Sequence, residues 1–227
     1  MEAQNYLQPN KSPCNLPASL TALDISCLFL APLAGGAGNY MALFFSSNLH
    51  WGPNQIGSLL GIMSIAMAVV QIPAGVSIDK TSKLKQIVVA ALAVLAMGWL
   101  FILVNPIFSV VAVTEILIGG CCALFMPAMA SISLGLVGLK NFDIRLGRNG
   151  VFSHAGNVLT ALLVILCIGA LGVRWILLLF IAFAVLAIIA TAQIKNECID
   201  YSHIHKKDEQ PQAIHPLLGG WLPSYAS

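Results

Sequence analysis

Charge is what this chain lacks. Only 9% of its 227 residues are Asp, Glu, Lys or Arg, against roughly a quarter in soluble globular domains. So little charge excludes a water-soluble domain of this size, and the 58% hydrophobic content excludes a disordered chain. A formal net charge of +2 offers no basic surface for nucleic acid, whose binding rests on many phosphate contacts. Hydrolytic signatures are missing as well: there is no His-Glu-x-x-His, no Gly-x-Ser-x-Gly and no paired acidic motif, so the chain is not read as an enzyme. Nor is there a Cys-x-x-Cys. Cys27, Cys121, Cys122 and Cys167 lie inside apolar stretches and Cys14 and Cys198 in polar termini, unlike a secreted disulfide scaffold. The best metal-like grouping, Cys198 with His203, His205 and His215, reads as unrelated residues of a polar tail. No metal or cofactor is expected.

What is present is apolar mass, with a mean hydropathy of +0.87. One membrane-spanning helix needs about 20 mostly apolar residues. Breaks at charges, prolines and turn residues mark six candidate spans at about 25–47, 55–78, 86–104, 108–137, 150–171 and 174–193. The reading is an all-α membrane protein: a polar segment at 1–21, a bundle at 22–194 and a polar tail at 195–227. Residues 1–20 lack the apolar core of a signal peptide, so the first run is read as an uncleaved span. The links at 50–54, 79–85, 105–106, 139–149 and 172–173 are short and force consecutive spans antiparallel. The fourth run exceeds what a bilayer needs and is expected to tilt, protrude or kink near Pro127.

Orientation follows from the cations. With the N-terminus inside, Lys11, Lys80, Lys83, Lys85, Lys140, Arg145, Arg148, Lys195, Lys206 and Lys207 all face the cytosol, and Arg174 alone faces outward. Ten against one satisfies the positive-inside rule. An integral membrane protein with both termini cytoplasmic is expected.

The link after the second span reads Gly75-x-x-x-Asp79-Lys80-x-x-Lys83. It resembles the loop signature between helices 2 and 3 of the major facilitator superfamily, with Ser82 in place of the turn glycine and Leu84 in place of a basic residue. A second stretch, Arg145-Leu-Gly-Arg-Asn-Gly-Val-Phe-Ser-His-Ala-Gly-Asn157, resembles the entrance to helix 5 in a bacterial branch of that superfamily. There Gly150 stands for Glu and Ser153 for Asn. Trp51-Gly-Pro, Ile56-Gly57, Pro73-Ala-Gly75, Pro127-Ala-Met-Ala and Leu134-Gly-Leu-Val-Gly138 extend the likeness over about residues 22 to 195. The resemblance implies the N-terminal six-helix half of a twelve-helix secondary transporter in a bacterial inner membrane. Such a half is built of two three-helix repeats, although no repeat is visible in the sequence. It further implies proton-coupled efflux or uptake of a small drug or metabolite. Its partners would be the lipid bilayer, a small-molecule substrate, protons, and a second six-helix half or a second copy of the chain. The competing reading is a truncated or degenerate, non-transporting membrane protein that binds another membrane subunit.

Polar residues within spans are the default functional candidates, because charge at the bilayer centre is costly. Glu115 lies roughly 10 Å inside the outer end of the fourth span at 1.5 Å per residue, where many superfamily members carry an arginine. Burial favours the neutral form of a carboxyl, which suits proton exchange; the alternative is a protonated Glu bonded to a neighbouring helix. His154 and Asn157 either line a pathway or bond between helices. Asn39 and Tyr40 either meet substrate or anchor at the interface. Asp24 reads as an interface residue ahead of a coupling acid. Gly75, Asp79, Lys80 and Lys83 form a conformational-switch loop, in which an acid at a helix end latches one access state, or else a solvated loop. Arg145, Arg148 and Asn149 make a second cytoplasmic motif. Glycines 35, 36, 38, 57, 61, 119 and 120 allow close helix packing, or bending.

Overall fold

The apolar runs fold as helices, and the first of them is broken where proline demands it. The computed structural model describes residues 15–79 and 81–201, without the side chains at 36 and 79. The first span comprises α1 (Leu16–Ala31), a π-helical turn at Pro32–Gly36 and α2 (Ala37–Asn48). Pro32 cannot donate the N–H that an α-helix would send to the Leu28 carbonyl, and its ring crowds that carbonyl. The wider turn absorbs the conflict, and the Cys122 thiol donates to the Leu33 carbonyl beside it (3.7 Å). Five further spans follow: α3 (Pro53–Asp79), α4 (Leu84–Val104), α5 (Phe108–Val137), α6 (Phe142–Leu171) and α7 (Trp175–Gln193). Among the described residues there is no strand, and six helices are long and apolar enough to cross a membrane.

Two boundaries differ from the sequence reading. The first helix begins at Leu16 instead of 25, capped by the Asn15 side chain accepting from the Ala18 N–H (3.3 Å). The fifth span begins at Phe142 instead of 150. Its true break is Gly138, whose φ of 69° only glycine adopts freely, followed by a short 3₁₀ turn at Leu139–Asn141. From Phe142 onward no proline interrupts, and Asp143 sits in the first turn where the helix dipole favours an acid. Arg145, Arg148 and Asn149 are therefore helical residues and not part of a link.

The antiparallel order gathers the starts of α1, α4 and α6 and the ends of α3, α5 and α7 at one end of the bundle, called the basic end here. α3 packs along α5 and α6 along α1; α4 packs on α5 and α7 on α1; α4 also packs on α7. Exchanging the first three spans with the last three leaves this pattern unchanged, the signature of two three-helix units related by a pseudo-twofold. The repeat is invisible in sequence because helix packing requires small and apolar residues at suitable spacing, not particular identities.

Lipid supplies no hydrophobic drive between helices, so close backbone approach must do so. A Cβ at Gly119 would collide with the Met63 carbonyl of α3, and one at Gly156 with the Leu28 carbonyl of α1. Gly57 and Gly61, expected to pack, have nothing within 4 Å of a Cβ. α3 and α6 turn most of their surface outward, whereas the other spans are far more enclosed. Between α4, α7 and α2 lies an aromatic layer: Phe180 sits 5.3 Å from Trp99 and 5.7 Å from Tyr40, ring centre to ring centre.

Candidate functional site

Helix α6 crosses α1 at the basic end, and Gly156 lets the two backbones nearly touch. Two turns nearer that end, three charges meet. Asp24 of α1 is 2% exposed. Its Oδ1 accepts from Arg145 Nη2 (2.6 Å), and its Oδ2 accepts from Arg148 Nη2 (2.7 Å) and Nε (3.1 Å). Arg145 and Arg148 are three apart in α6 and so share a face. The Arg145 side chain is 4% exposed and the Arg148 side chain 59%. Arg145 also donates to the Leu20 carbonyl (3.4 Å), but its Nε has no partner. The Arg148 guanidinium lies over the Phe152 ring at 5.7 Å. One carboxylate thus holds two cations, and the cluster rivets α1 to α6. Next to it, Asn149 Nδ2 donates to Ser133 Oγ (2.7 Å), which donates on to the Met129 carbonyl (2.7 Å), joining α6 to α5.

Glu115 lies in the half of α5 away from the basic end. It is 0% exposed, and among the described residues neither carboxyl oxygen has a hydrogen-bond partner. The alternative, a bond to a neighbouring helix, finds no partner among the described residues. Two turns along α5, Cys122 meets Leu33; because α2 runs antiparallel to α5, Glu115 comes level with Tyr40 and the aromatic layer. Trp99, in the same layer, also has a buried Nε1 without a partner.

Asn39, His154 and Asn157 are exposed on α2 and α6, as are Ser64 and Gln71 on α3. His154 and Asn157 make no side-chain hydrogen bond within the described residues. Tyr40 is half-buried against Phe180.

At the basic end of α3, Gly75 is half-buried with open space where a Cβ would be. The Asp79 side chain and Lys80 lie outside the described residues, as do Lys11, Lys206, Lys207 and the tail histidines. Lys83 is exposed at the start of α4, and its backbone N–H donates to Thr81 Oγ1 (3.3 Å). Sequence reasoning missed the partnership of Asp24 with both arginines, although a lone acid in one span and an Arg-x-x-Arg in another hinted at it. It also missed the orphaned indole of Trp99, for which no sequence signal exists.

Residues 25–222 match the family model described as Major Facilitator Superfamily. The chain belongs to the major facilitator superfamily. It is 31% identical over 211 residues to uncharacterized MFS-type transporters of two Mycobacterium tuberculosis strains, CDC 1551 / Oshkosh and ATCC 25618 / H37Rv. Those matches cover 88% of this chain and 48% of each relative, so it spans about half the length of the superfamily members it matches. No solved structure matches. The six spans, with their three-plus-three packing, make the chain an integral membrane protein with the architecture of a superfamily N-terminal bundle.

Proposed function

We propose that this bundle forms one half of the wall of a membrane carrier for a small solute, and that Glu115 takes up and releases a proton as the carrier changes state. The observation that carries the reading is the fully buried Glu115 carboxyl with both oxygens unpartnered. A rearrangement that brings water or a cation to it would favour its charged form, linking protonation to conformation. A second bundle, either a partner half or another copy of the chain, covers the face of α3 and α6. His154 and Asn157 on α6 would otherwise meet lipid, where unpaired polar groups are costly. Movement of one bundle against the other closes the site from each side in turn. The bundle sits in a bacterial cell membrane with both termini in the cytosol, a placement supported by the ten-to-one distribution of cations. In this arrangement the loop from Gly75 through Asp79 and Lys80 to Lys83 latches one access state.

The test reconstitutes the chain, its oligomeric state established in mild detergent, into vesicles with an imposed proton gradient and a panel of labelled solutes. Glu115→Gln is expected to abolish uphill uptake while leaving downhill exchange intact. Uphill uptake unchanged in Glu115→Gln would remove the coupling role. Uphill uptake by verified monomers would overturn the need for a second bundle.

A further inference from the structure

The chain does not leave the bundle where α7 ends. The Lys195 N–H donates to Ser19 Oγ on α1 (3.4 Å), a 3₁₀ turn follows at Asn196–Cys198, and the Asp200 N–H donates to the Gly135 carbonyl near the end of α5 (2.8 Å). Ile194, Cys198 and Ile199 are buried beneath the basic end. Gly135 carries one of the last four carbonyls of α5, which have no partner within their own helix. The segment after α7 supplies a donor to it.

The end of α7 is held from the other direction. Lys85, in the first turn of α4, donates through Nζ to the carbonyls of Ala192 (3.1 Å) and Ile194 (2.8 Å). A cation on the terminal carbonyls of a helix gains both the hydrogen bonds and the favourable end of the helix dipole. Lys85 therefore ties the start of α4, where the loop following α3 ends, to the end of α7 and the first residue of the segment beyond it. Ser82, Lys83 and Gln86 on one side and Asn196 and Tyr201 on the other enclose, with Lys85, a crevice of about 30 Å³, room for about one water molecule.

We propose that residues 194–201 form a strap that fixes the loop after α3 against the end of α7, with Lys85 as the joint, so that loop and strap open together as one unit. Displacing the strap would then free the loop that carries Asp79 and Lys80. The chain beyond α7 would thereby control a loop more than a hundred residues upstream, since Lys85 and Ile194 are 109 positions apart. None of this requires a solute or Glu115, so it stands or falls separately from the transport reading.

The test is amide hydrogen exchange, followed by mass spectrometry, on the full chain in mild detergent. In Lys85→Met, exchange in residues 81–86 and in 194–201 is expected to rise together by on the order of tenfold, the effect of losing hydrogen bonds from a charged donor. The centres of the spans should stay unchanged. Lys83→Met is the control and should alter neither segment, while Lys85→Arg should restore most of the protection. Acceleration in only one of the two segments, or in neither, would overturn the proposal. If Lys85→Met does not fold, Ser19→Ala loosens the strap from the α1 side with the joint intact. Coupled opening then predicts faster exchange in 81–86 as well, and acceleration confined to 194–201 refutes it.

Discussion

Replacing Asp24 by asparagine keeps the shape of the side chain and removes the carboxylate that pairs with both guanidiniums. The effects on the two arginines are unequal. Arg145, with its side chain 4% exposed, would keep the Leu20 carbonyl at 3.4 Å and whatever one amide oxygen can accept, having lost the carboxylate it pairs with. Removing one partner of a buried ion pair costs about 3–5 kcal/mol, because the other charge stays buried. Arg148, 59% exposed, can turn to solvent, and an exposed pair is worth only about 0.2–1 kcal/mol. Since asparagine still accepts one hydrogen bond, Asp24→Asn is expected near the lower bound, at about 3 kcal/mol, and Arg148→Ala at no more than about 1 kcal/mol. Asp24→Asn combined with Arg145→Met removes the stranded charge and should recover most of the loss. The assay is loss of helical circular dichroism on titrating sodium dodecyl sulfate into protein held in mild detergent, comparing unfolding midpoints. If Arg148→Ala is as damaging as Asp24→Asn, or if the double variant is no better than Asp24→Asn alone, the assignment of the cost to a buried Arg145 charge is wrong.

Adjacent glycines on α5 should respond oppositely. At Gly119 a new Cβ meets the Met63 carbonyl, so Gly119→Ala is expected to lose about 1–3 kcal/mol through overpacking. Gly120→Ala, whose Cβ would rest 3.7 Å from a Val70 methyl, should be neutral or gain up to about 1 kcal/mol of helix propensity; equal midpoints for the two variants would contradict the close approach of α3 and α5. For topology, a reporter fused at Ser227 is expected to stay in the cytosol and one inserted in the 50–54 link to be exported. Export of the C-terminal reporter would overturn the orientation.

The membrane class, the number of spans and their antiparallel order were legible because they depend on local composition. Twenty apolar residues in a row are read the same way whatever surrounds them. The motif around Asp79 and the run from Arg145 to Asn157 pointed to the superfamily for the same reason. Helix ends beyond the apolar runs were less legible: the start of α6 depends on the backbone of Gly138, and the start of α1 on the cap made by Asn15.

What the tertiary structure alone decided is which polar groups meet. Asp24 and Arg145 are 121 residues apart. Their pairing depends on the azimuth and depth at which α1 and α6 cross, set in turn by a glycine that admits a carbonyl. The same holds for Glu115. Its position in a span was plain, but its isolation follows from the apolar faces that α5 happens to meet there. Spacing along a helix determines which side chains share a face; only the packing of helices determines what that face touches.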